Sequence, residues 1–272
     1  MSGLATLALI LAVILVLIYS GQTRLIFFPQ ALSNPPPAAP DIEEIRLTAA
    51  DGTRLHGWFA RSGRSKAPLL IYFGGNAEEV SWMLDMRKHF PGWSLLAMNY
   101  RGYGLSEGRP GEAALFADAL QTYDFASARA DVDPARIALL GRSLGSGVAV
   151  HLAASRPVRA VVLVSPYDSL TALAQRHYPW LPAALLLRHR FDSIARAPGI
   201  AAPLLCLVAD RDTIVPPEHS RRLYEAWAGP RQWREIAPAD HDSIAARTEY
   251  WQVIQAFLGA IAAAVPPQSG HA

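Results

Sequence analysis

The sequence predicts an α/β domain built on a mostly parallel, doubly wound sheet. From residue 41 onward, short apolar runs alternate with helix-forming segments. Each run is followed by a loop rich in glycine or polar residues, as expected for strands buried on both faces of a parallel sheet. In such sheets ligands bind at the carboxyl ends of the strands. Functional residues are therefore expected directly after the apolar runs.

The domain is predicted to begin with an antiparallel hairpin. Residues 42–48 alternate apolar and polar side chains, and residues 55–60 follow the turn pair Asp51-Gly52. Further strands are predicted over residues 69–73, 94–98, 137–140, 160–164, 204–208 and 232–236. Helices are predicted over residues 112–130, 144–155, 217–228 and 243–263. The stretch 166–202 is longer than an ordinary crossover and rich in large apolar residues, which predicts a small helical cap above the sheet.

Composition excludes several classes of protein. The chain has 272 residues, of which 51% are hydrophobic, and this share excludes a disordered protein. A single cysteine, Cys206, excludes an intramolecular disulfide and any all-cysteine metal site. The net charge of +2 gives no electrostatic case for a nucleic-acid partner. We expect no metal and no cofactor, and the sequence does not indicate an oligomeric state.

The N-terminus carries an apolar run that predicts a single-pass membrane anchor over residues 1–21. Between Leu4 and Tyr19 the only polar side chain is Thr6. As a helix, the sixteen residues 4–19 span roughly 24 Å, slightly less than a hydrocarbon core of ~30 Å. A cleaved signal peptide is the alternative. It is less favoured because no Lys or Arg precedes the run and no Ala-x-Ala site follows it.

The remaining segments complete the predicted organisation. Residues 22–40 are predicted to form an interfacial segment and a stiff, proline-rich linker, since residues 34–40 read NPPPAAP. The catalytic-type domain is expected over residues 41–263, followed by a flexible tail over 264–272. Only two of the 25 basic residues are lysines, which favours a GC-rich bacterial genome and hence a bacterial inner membrane. The side of the membrane on which the domain lies is not indicated.

Residues Gly141 to Gly145 form a G-x-S-x-G motif centred on Ser143. The motif alone is weak evidence, but an apolar predicted strand precedes it and a predicted helix follows. This strand–turn–helix context is the one in which a tight turn holds a serine oxygen clear of the backbone as a nucleophile.

A serine nucleophile needs a base, and the base needs an orienting acid. In this turn type the acid and then the histidine follow the serine along the chain. Of eight histidines, His241 is favoured because it lies in a polar loop between the last predicted strand and the last helix. Asp212, after the strand 204–208, is the preferred acid, with Asp210 and Asp168 as alternatives.

The oxyanion formed by nucleophilic attack needs two backbone N–H donors. One is expected from Leu144, the residue after the nucleophile. The other is expected from the loop Gly74-Gly75-Asn76, with the N–H of Asn76 as the preferred donor.

Together these motifs resemble those of the α/β-hydrolases, and more narrowly the single-pass, membrane-anchored serine hydrolases that include the eukaryotic protein depalmitoylases. The matching motifs are LIFFP (Leu25–Pro29), YFGGNAE (Tyr72–Glu78), NYRGYGLSEG (Asn99–Gly108), GRSLGSGVA (Gly141–Ala149), DRDTIVP (Asp210–Pro216) and Asp240-His241. The resemblance implies the α/β-hydrolase fold and a triad of Ser143, Asp212 and His241. It also implies that Ser106 lies in a structural loop and is not a second nucleophile.

Two departures from the family pattern stand out. Gly74 replaces the usual histidine of the loop before Asn76. No N-terminal cysteine cluster is present, so a depalmitoylase role is not supported.

We therefore expect a membrane-anchored hydrolase of esters or thioesters with a hydrophobic acyl group, acting on a small or lipid-like substrate. The alternatives are a serine peptidase and a catalytically idle scaffold tethered to the membrane.

Overall fold

An eight-stranded sheet forms the centre of the protein in the computed structural model, which describes residues 3–263. The flexible tail predicted over residues 264–272 lies outside the described residues. The strands are β1 (Ile42–Thr48), β2 (Arg54–Ala60), β3 (Ala67–Phe73), β4 (Ser94–Met98), β5 (Val132–Arg142), β6 (Ala160–Val164), β7 (Leu204–Ala209) and β8 (Arg231–Ile236). The helices are α1 (Gly3–Ile26), α2 (Met83–Met86), α3 (Glu112–Ser127), α4 (Leu144–Ser155), α5 (Leu170–His177), α6 (Ala183–Leu186), α7 (Pro217–Ala226) and α8 (Thr248–Ala263).

The strand order is β1-β2-β4-β3-β5-β6-β7-β8. The predicted hairpin is present as β1 and β2, and β2 also pairs antiparallel with β4. All pairings from β4 through β3 to β8 are parallel. The predicted fold class, a mostly parallel doubly wound sheet, is confirmed.

Side chains on the central strands alternate between two core layers, one on each face of the sheet. In β3, Leu69 and Ile71 pack in the layer that contains residues of α3, α4 and α7. Leu70 and Tyr72 pack on the other face, with α2 and α8. Every residue of β3, β4, β6 and β7 is buried, as parallel strands covered on both faces require. The edge strand β8 is mostly exposed and carries two arginines.

The predicted cap lies between β6 and β7 and contains α5 and α6, joined by an irregular segment. It presents large apolar side chains to solvent: Trp180 is 66% exposed and Leu185 is 83% exposed. Leu181 and Phe191, which belong to the same segment, are buried. The cap is therefore attached to the domain by buried side chains, and its solvent-exposed surface is partly apolar.

The N-terminal helix extends further than the predicted anchor. It ends at Ile26 rather than at residue 21, and the chain after it packs on the domain. Gln22 and Phe27 are buried, and Ala31 forms a β-bridge with Gly104. Gln22 Nε2 donates to Leu186 O, 3.2 Å away, so the helix end is tied to the cap. The ordered domain thus includes residues before the predicted start at residue 41, because these residues find polar and apolar partners on it.

Among the described residues, one helix, α1, is long and apolar enough to cross a membrane, with a mean hydropathy of 2.6 over its most apolar window. None of that window is buried against the rest of the chain. Length and composition of this kind fit both a membrane anchor and a signal sequence.

Candidate active site

Ser143 occupies a sharp turn between β5 and α4. Its φ of 49° lies in the left-handed region, which costs free energy for a residue other than glycine and recurs at functional sites. A Cβ at Gly145 would lie 2.1 Å from Phe73 O, and a Cβ at Gly141 would lie 2.5 Å from the carbonyl oxygen of Gly145. Both glycines of the motif are therefore required by close backbone packing between the turn, α4 and the neighbouring strand.

His241 bridges the serine and an aspartate. Its Nε2 lies 2.9 Å from Ser143 Oγ, and its Nδ1 lies 2.8 Å from Asp212 Oδ2. The three residues follow β5, β7 and β8 respectively, so the carboxyl edge of the sheet brings together positions that are far apart in sequence. The Asp212 side chain is fully buried and that of His241 is 11% exposed. The structure thus brings together the three side chains that the sequence predicts as a triad.

Hydrogen bonds fix the charge state of Asp212. Burial by itself raises the pKa of this carboxyl, but hydrogen bonds from His241 and from the backbone N–H of Val215 outweigh it, so the pKa lies below its usual value. Asp212 Oδ1 accepts the N–H groups of Val215 at 2.7 Å and Ile214 at 3.0 Å. An ionised carboxylate at this position holds the proton of His241 on Nδ1, which leaves Nε2 free to accept a proton from Ser143.

The two alternative acids have other partners. Asp210 Oδ1 accepts the backbone N–H of Ala239 at 2.7 Å and so supports the loop that leads to His241. Asp168 lies 2.8 Å from His219 Nδ1 and accepts a hydrogen bond from Arg222 Nε at 2.6 Å. Asp168 therefore belongs to a separate buried cluster.

Ser106 has a structural environment, as the resemblance implies. Its Oγ accepts the N–H of His56 at 2.8 Å and donates to Asn99 O at 2.9 Å. The residue is buried; its bond with His56 joins the loop 99–108 to β2, and its bond with Asn99 holds the two ends of the loop together.

The two residues expected to supply oxyanion donors follow adjacent strands. Phe73 at the end of β3 pairs with Gly141 in β5, so the loop that contains Asn76 and the turn that contains Leu144 leave the sheet side by side. Leu144 is the first residue of α4, where backbone N–H groups have no partner within the helix. Their role as donors remains a prediction.

The side chain of Asn76 ties this loop to the end of the N-terminal helix. Its Nδ2 donates to Ile26 O at 2.5 Å, and its Oδ1 accepts the N–H of Phe28 at 3.0 Å and the hydroxyl of Tyr103 at 2.7 Å. Sequence analysis did not predict this connection. The helix that precedes the domain is thus bonded directly to the residue expected to stabilise the oxyanion.

Glu78 and Arg142 form a second connection that sequence analysis missed. Glu78 Oε2 accepts the N–H of Gly75 at 2.8 Å and Nη1 of Arg142 at 3.0 Å. Arg142 Nη2 donates to His241 O at 3.1 Å. This ion pair therefore joins the oxyanion loop, the nucleophile turn and the histidine loop. Both residues lie inside motifs that were noticed, but nothing in the sequence indicates their pairing.

The same carboxylate narrows the space at position 74. A Cβ added to Gly74 would lie 3.2 Å from Glu78 Oε1 and 3.1 Å from a methyl group of Val80. A side chain at position 74 would have to displace these two side-chain ends by a few tenths of an ångström. The hydroxyl of Tyr100 braces the loop by donating to Gly74 O at 2.8 Å.

Comparison with known proteins places this geometry in context. A sequence family described as serine aminopeptidase, S33, matches residues 64–193. The chain is 39% identical over 245 residues to the uncharacterized protein Rv2307c of Mycobacterium tuberculosis, covering 88% of this chain and 86% of that protein. It is 30% identical over 234 residues to the alpha/beta hydrolase domain-containing protein WAV2 of Arabidopsis thaliana, covering 76% of each.

Solved structures share the fold at low sequence identity. An acetyl xylan esterase from Paenibacillus sp. R4 superposes with a TM-score of 0.66 at 23% identity, covering 84% of this chain and 87% of that one. The Pyrococcus furiosus esterase Pf2001 gives a TM-score of 0.67 at 19% identity, with 85% and 98% covered.

Proposed function

Since the chain belongs to the α/β-hydrolase superfamily, we propose that it is a serine hydrolase that cleaves carboxylic ester or thioester bonds. The observation that carries this proposal is the position of His241, within hydrogen-bonding distance of both Ser143 Oγ and Asp212 Oδ2. A serine hydroxyl is a weak nucleophile at neutral pH, and a correctly oriented imidazole activates it.

The proposed reaction has two halves. Ser143 Oγ attacks the carbonyl carbon while His241 Nε2 takes the hydroxyl proton, and the resulting oxyanion is held by the N–H groups of Asn76 and Leu144. The tetrahedral intermediate collapses when His241 returns the proton to the leaving alcohol or thiol, which leaves an acyl ester on the serine. Water, deprotonated by His241, then attacks this ester, and His241 gives the proton to Ser143 Oγ as the bond from this oxygen to the acyl carbon breaks and the acid is released. Asp212 stabilises the imidazolium that forms in each half.

A hydrophobic acyl group is the proposed substrate class. The cap reaches the catalytic loops, since His177 Nε2 lies 2.9 Å from Ile214 O, two residues after Asp212. Trp180 and Leu185 expose large apolar surfaces on the same cap. Apolar surface of this kind on a cap that contacts the loop of Asp212 favours an acyl chain over a sugar or a charged peptide.

Membrane anchoring through α1 is part of the proposal. None of the apolar window of the helix is buried within the described residues, as expected if lipid covers it. Gln22 donates a hydrogen bond to Leu186 O and accepts one from the N–H of Arg188. These bonds favour retention of the helix over its removal as a signal peptide. A bacterial inner membrane remains the expected location.

The test is hydrolysis of p-nitrophenyl esters from acetate to decanoate by the full chain in neutral detergent, with the Ser143→Ala variant as control. We expect kcat/KM to rise with chain length and the variant to lose at least ~1,000-fold. Acyl-coenzyme A thioesters and aminoacyl p-nitroanilides in the same assay separate a thioesterase and a peptidase from an esterase. A steady fall from acetate to decanoate would contradict the acyl-chain preference. Equal, negligible turnover by both proteins would favour an idle scaffold.

A further inference from the structure

A groove of about 860 Å³ lies where α1 meets the domain. One wall is formed by the last turns of α1 and the segment after it, including Phe27. The loop around Arg109 and the cap residue Arg188 form the other walls. The groove is separate from the triad, since none of the three proposed catalytic residues lines it.

The wall formed by α1 is one continuous face of that helix. Leu17, Gly21 and Arg24 all line the groove and are spaced four and three residues apart, which places them one above the other on the helix surface. Leu17 lies within the apolar run, whereas Arg24 follows it. A molecule in this groove would therefore contact apolar surface at one end and a guanidinium at the other.

Three arginines, Arg24, Arg109 and Arg188, line the groove, and all three are exposed. Among the described residues that line it, none carries a carboxylate. Arg24 and Arg109 form no ion pair with any part of the chain that the structure describes. Arg188 lies over the ring of Tyr19, 5.0 Å from its centroid. Three positive charges thus line one groove, without a counter-charge from the described residues that line it.

We propose that this groove binds the phosphate-bearing headgroup of an anionic membrane lipid, with one acyl chain along the Leu17 face of α1. The inference rests on the proposed membrane anchoring of α1. Tyr19 and Arg188 mark the level where the helix leaves the hydrocarbon, since aromatic and basic residues concentrate at that interface. Guanidinium groups bind phosphate oxygens in pairs of parallel hydrogen bonds. The apolar wall favours a lipid over free phosphate, and binding would hold the domain against the bilayer in one orientation.

The test is native mass spectrometry of the full chain in neutral detergent, with equal amounts of phosphatidylglycerol and phosphatidylcholine of matched chains. We expect phosphatidylglycerol to be retained preferentially. An Arg24→Gln, Arg109→Gln and Arg188→Gln triple variant is expected to bind it on the order of a hundredfold more weakly, since each basic residue near a lipid surface contributes about fivefold. If the triple variant does not fold, the three single variants, each with about a fivefold loss, provide the test.

The matched control replaces Arg64, Arg234 and Arg247 with glutamine. These arginines are also exposed, also lack an ion pair within the described residues, and lie outside the groove. We expect this control to bind like the wild type. Equal loss in both triple variants would mean that net charge alone attracts the lipid, and an unchanged groove variant would show that the groove is not the site. Either result would overturn the proposal, as would displacement of the lipid by equimolar inorganic phosphate.

Hydrolysis of p-nitrophenyl decanoate, the ester expected to be cleaved best, is measured in the same samples. Turnover without lipid preference would overturn the headgroup site alone. Lipid preference without turnover would overturn the proposed catalytic function alone.

Discussion

Replacement of Asn76 by alanine separates the role of its side chain from that of its backbone. The change leaves the proposed oxyanion donor, the Asn76 N–H, in the chain. It removes the bonds to Ile26 O, the N–H of Phe28 and the hydroxyl of Tyr103. Without these bonds the loop is free to shift relative to Ser143, although the donor itself is still present.

The structure gives the expected size of each effect. Tyr103 is fully buried, so its hydroxyl hydrogen, left without an acceptor, costs about 1–3 kcal/mol of folding free energy. The N–H of Phe28 keeps its bond to the hydroxyl oxygen of Tyr103 at 3.1 Å, and Ile26 O can accept from water instead. Loss of one oxyanion donor typically lowers kcat by ~100- to 1,000-fold, and a displaced donor approaches the lower figure. We therefore expect kcat to fall about 100-fold while KM changes by less than about threefold, because the donor acts mainly on the transition state.

The assay is steady-state hydrolysis of p-nitrophenyl butyrate, together with urea unfolding of the same preparations. Tyr103→Phe is the matched control, since it removes one of the three bonds and leaves the anchor contacts of Asn76 in place. We expect it to lower kcat by no more than about fivefold. Two results for a folded Asn76→Ala protein would refute the proposed link between the helix end and the oxyanion loop. One is a wild-type kcat, and the other is a loss of kcat/KM that comes entirely from a higher KM.

Three further predictions concern stability and positioning. Gly145→Ala places a Cβ 2.1 Å from Phe73 O and should cost more than ~4 kcal/mol or prevent folding, whereas Gly199→Ala, with no atom within 4 Å, should be close to neutral by urea unfolding. Burial lowers the pKa of His151 to about 4, so its neutral form stabilises the folded state above pH 6.5 and this stability is lost as the pH falls toward 4. Between pH 7 and pH 5, the free energy of unfolding of His151→Gln should therefore fall by about 1 kcal/mol less than that of the wild type. This figure includes a reduction for solvent screening of the half-exposed ring. Glu78→Gln leaves the arginine of the nucleophile turn without its charged partner and should cost about 2–3 kcal/mol of stability and lower kcat about tenfold.

Each of these predictions has a clear contrary outcome. A stable, active Gly145→Ala protein would mean that the turn does not need close backbone contact. A His151→Gln protein with the same decline in stability at pH 5 as the wild type would show that other groups cause it. Wild-type kcat in Glu78→Gln would show that the ion pair does not position the catalytic loops.

The sheet was largely predictable because its strands are short apolar runs bounded by turn residues. The predicted bounds of β1, β4 and β6 coincide with the observed ones. β5 begins at Val132, whereas the prediction began at residue 137. The first half of this strand could not be predicted because it carries polar residues and Pro134, and it pairs only at its start, with Ala67. α2 was not predicted, since four residues carry no helical periodicity.

The positions of Ser143, Asp212 and His241 could be inferred because each follows a recognisable strand in a fixed chain order. The residues that support them could not. Glu78 meets Arg142 across 64 positions, and Asn76 meets Ile26 across 50. Neither pairing changes the local pattern of polarity. The contact between the end of α1 and the cap could not be inferred for the same reason, because Gln22 finds its partner Leu186 164 residues away.

The central claim is that Ser143 is activated by His241. Fluorophosphonate labelling of the full chain, followed by peptide mapping and a comparison of labelling rates, tests it most directly. We expect the label on Ser143, no label in Ser143→Ala, and a rate at least ~1,000-fold lower in His241→Ala. A label on any other residue, or the same rate without the imidazole, would contradict the account.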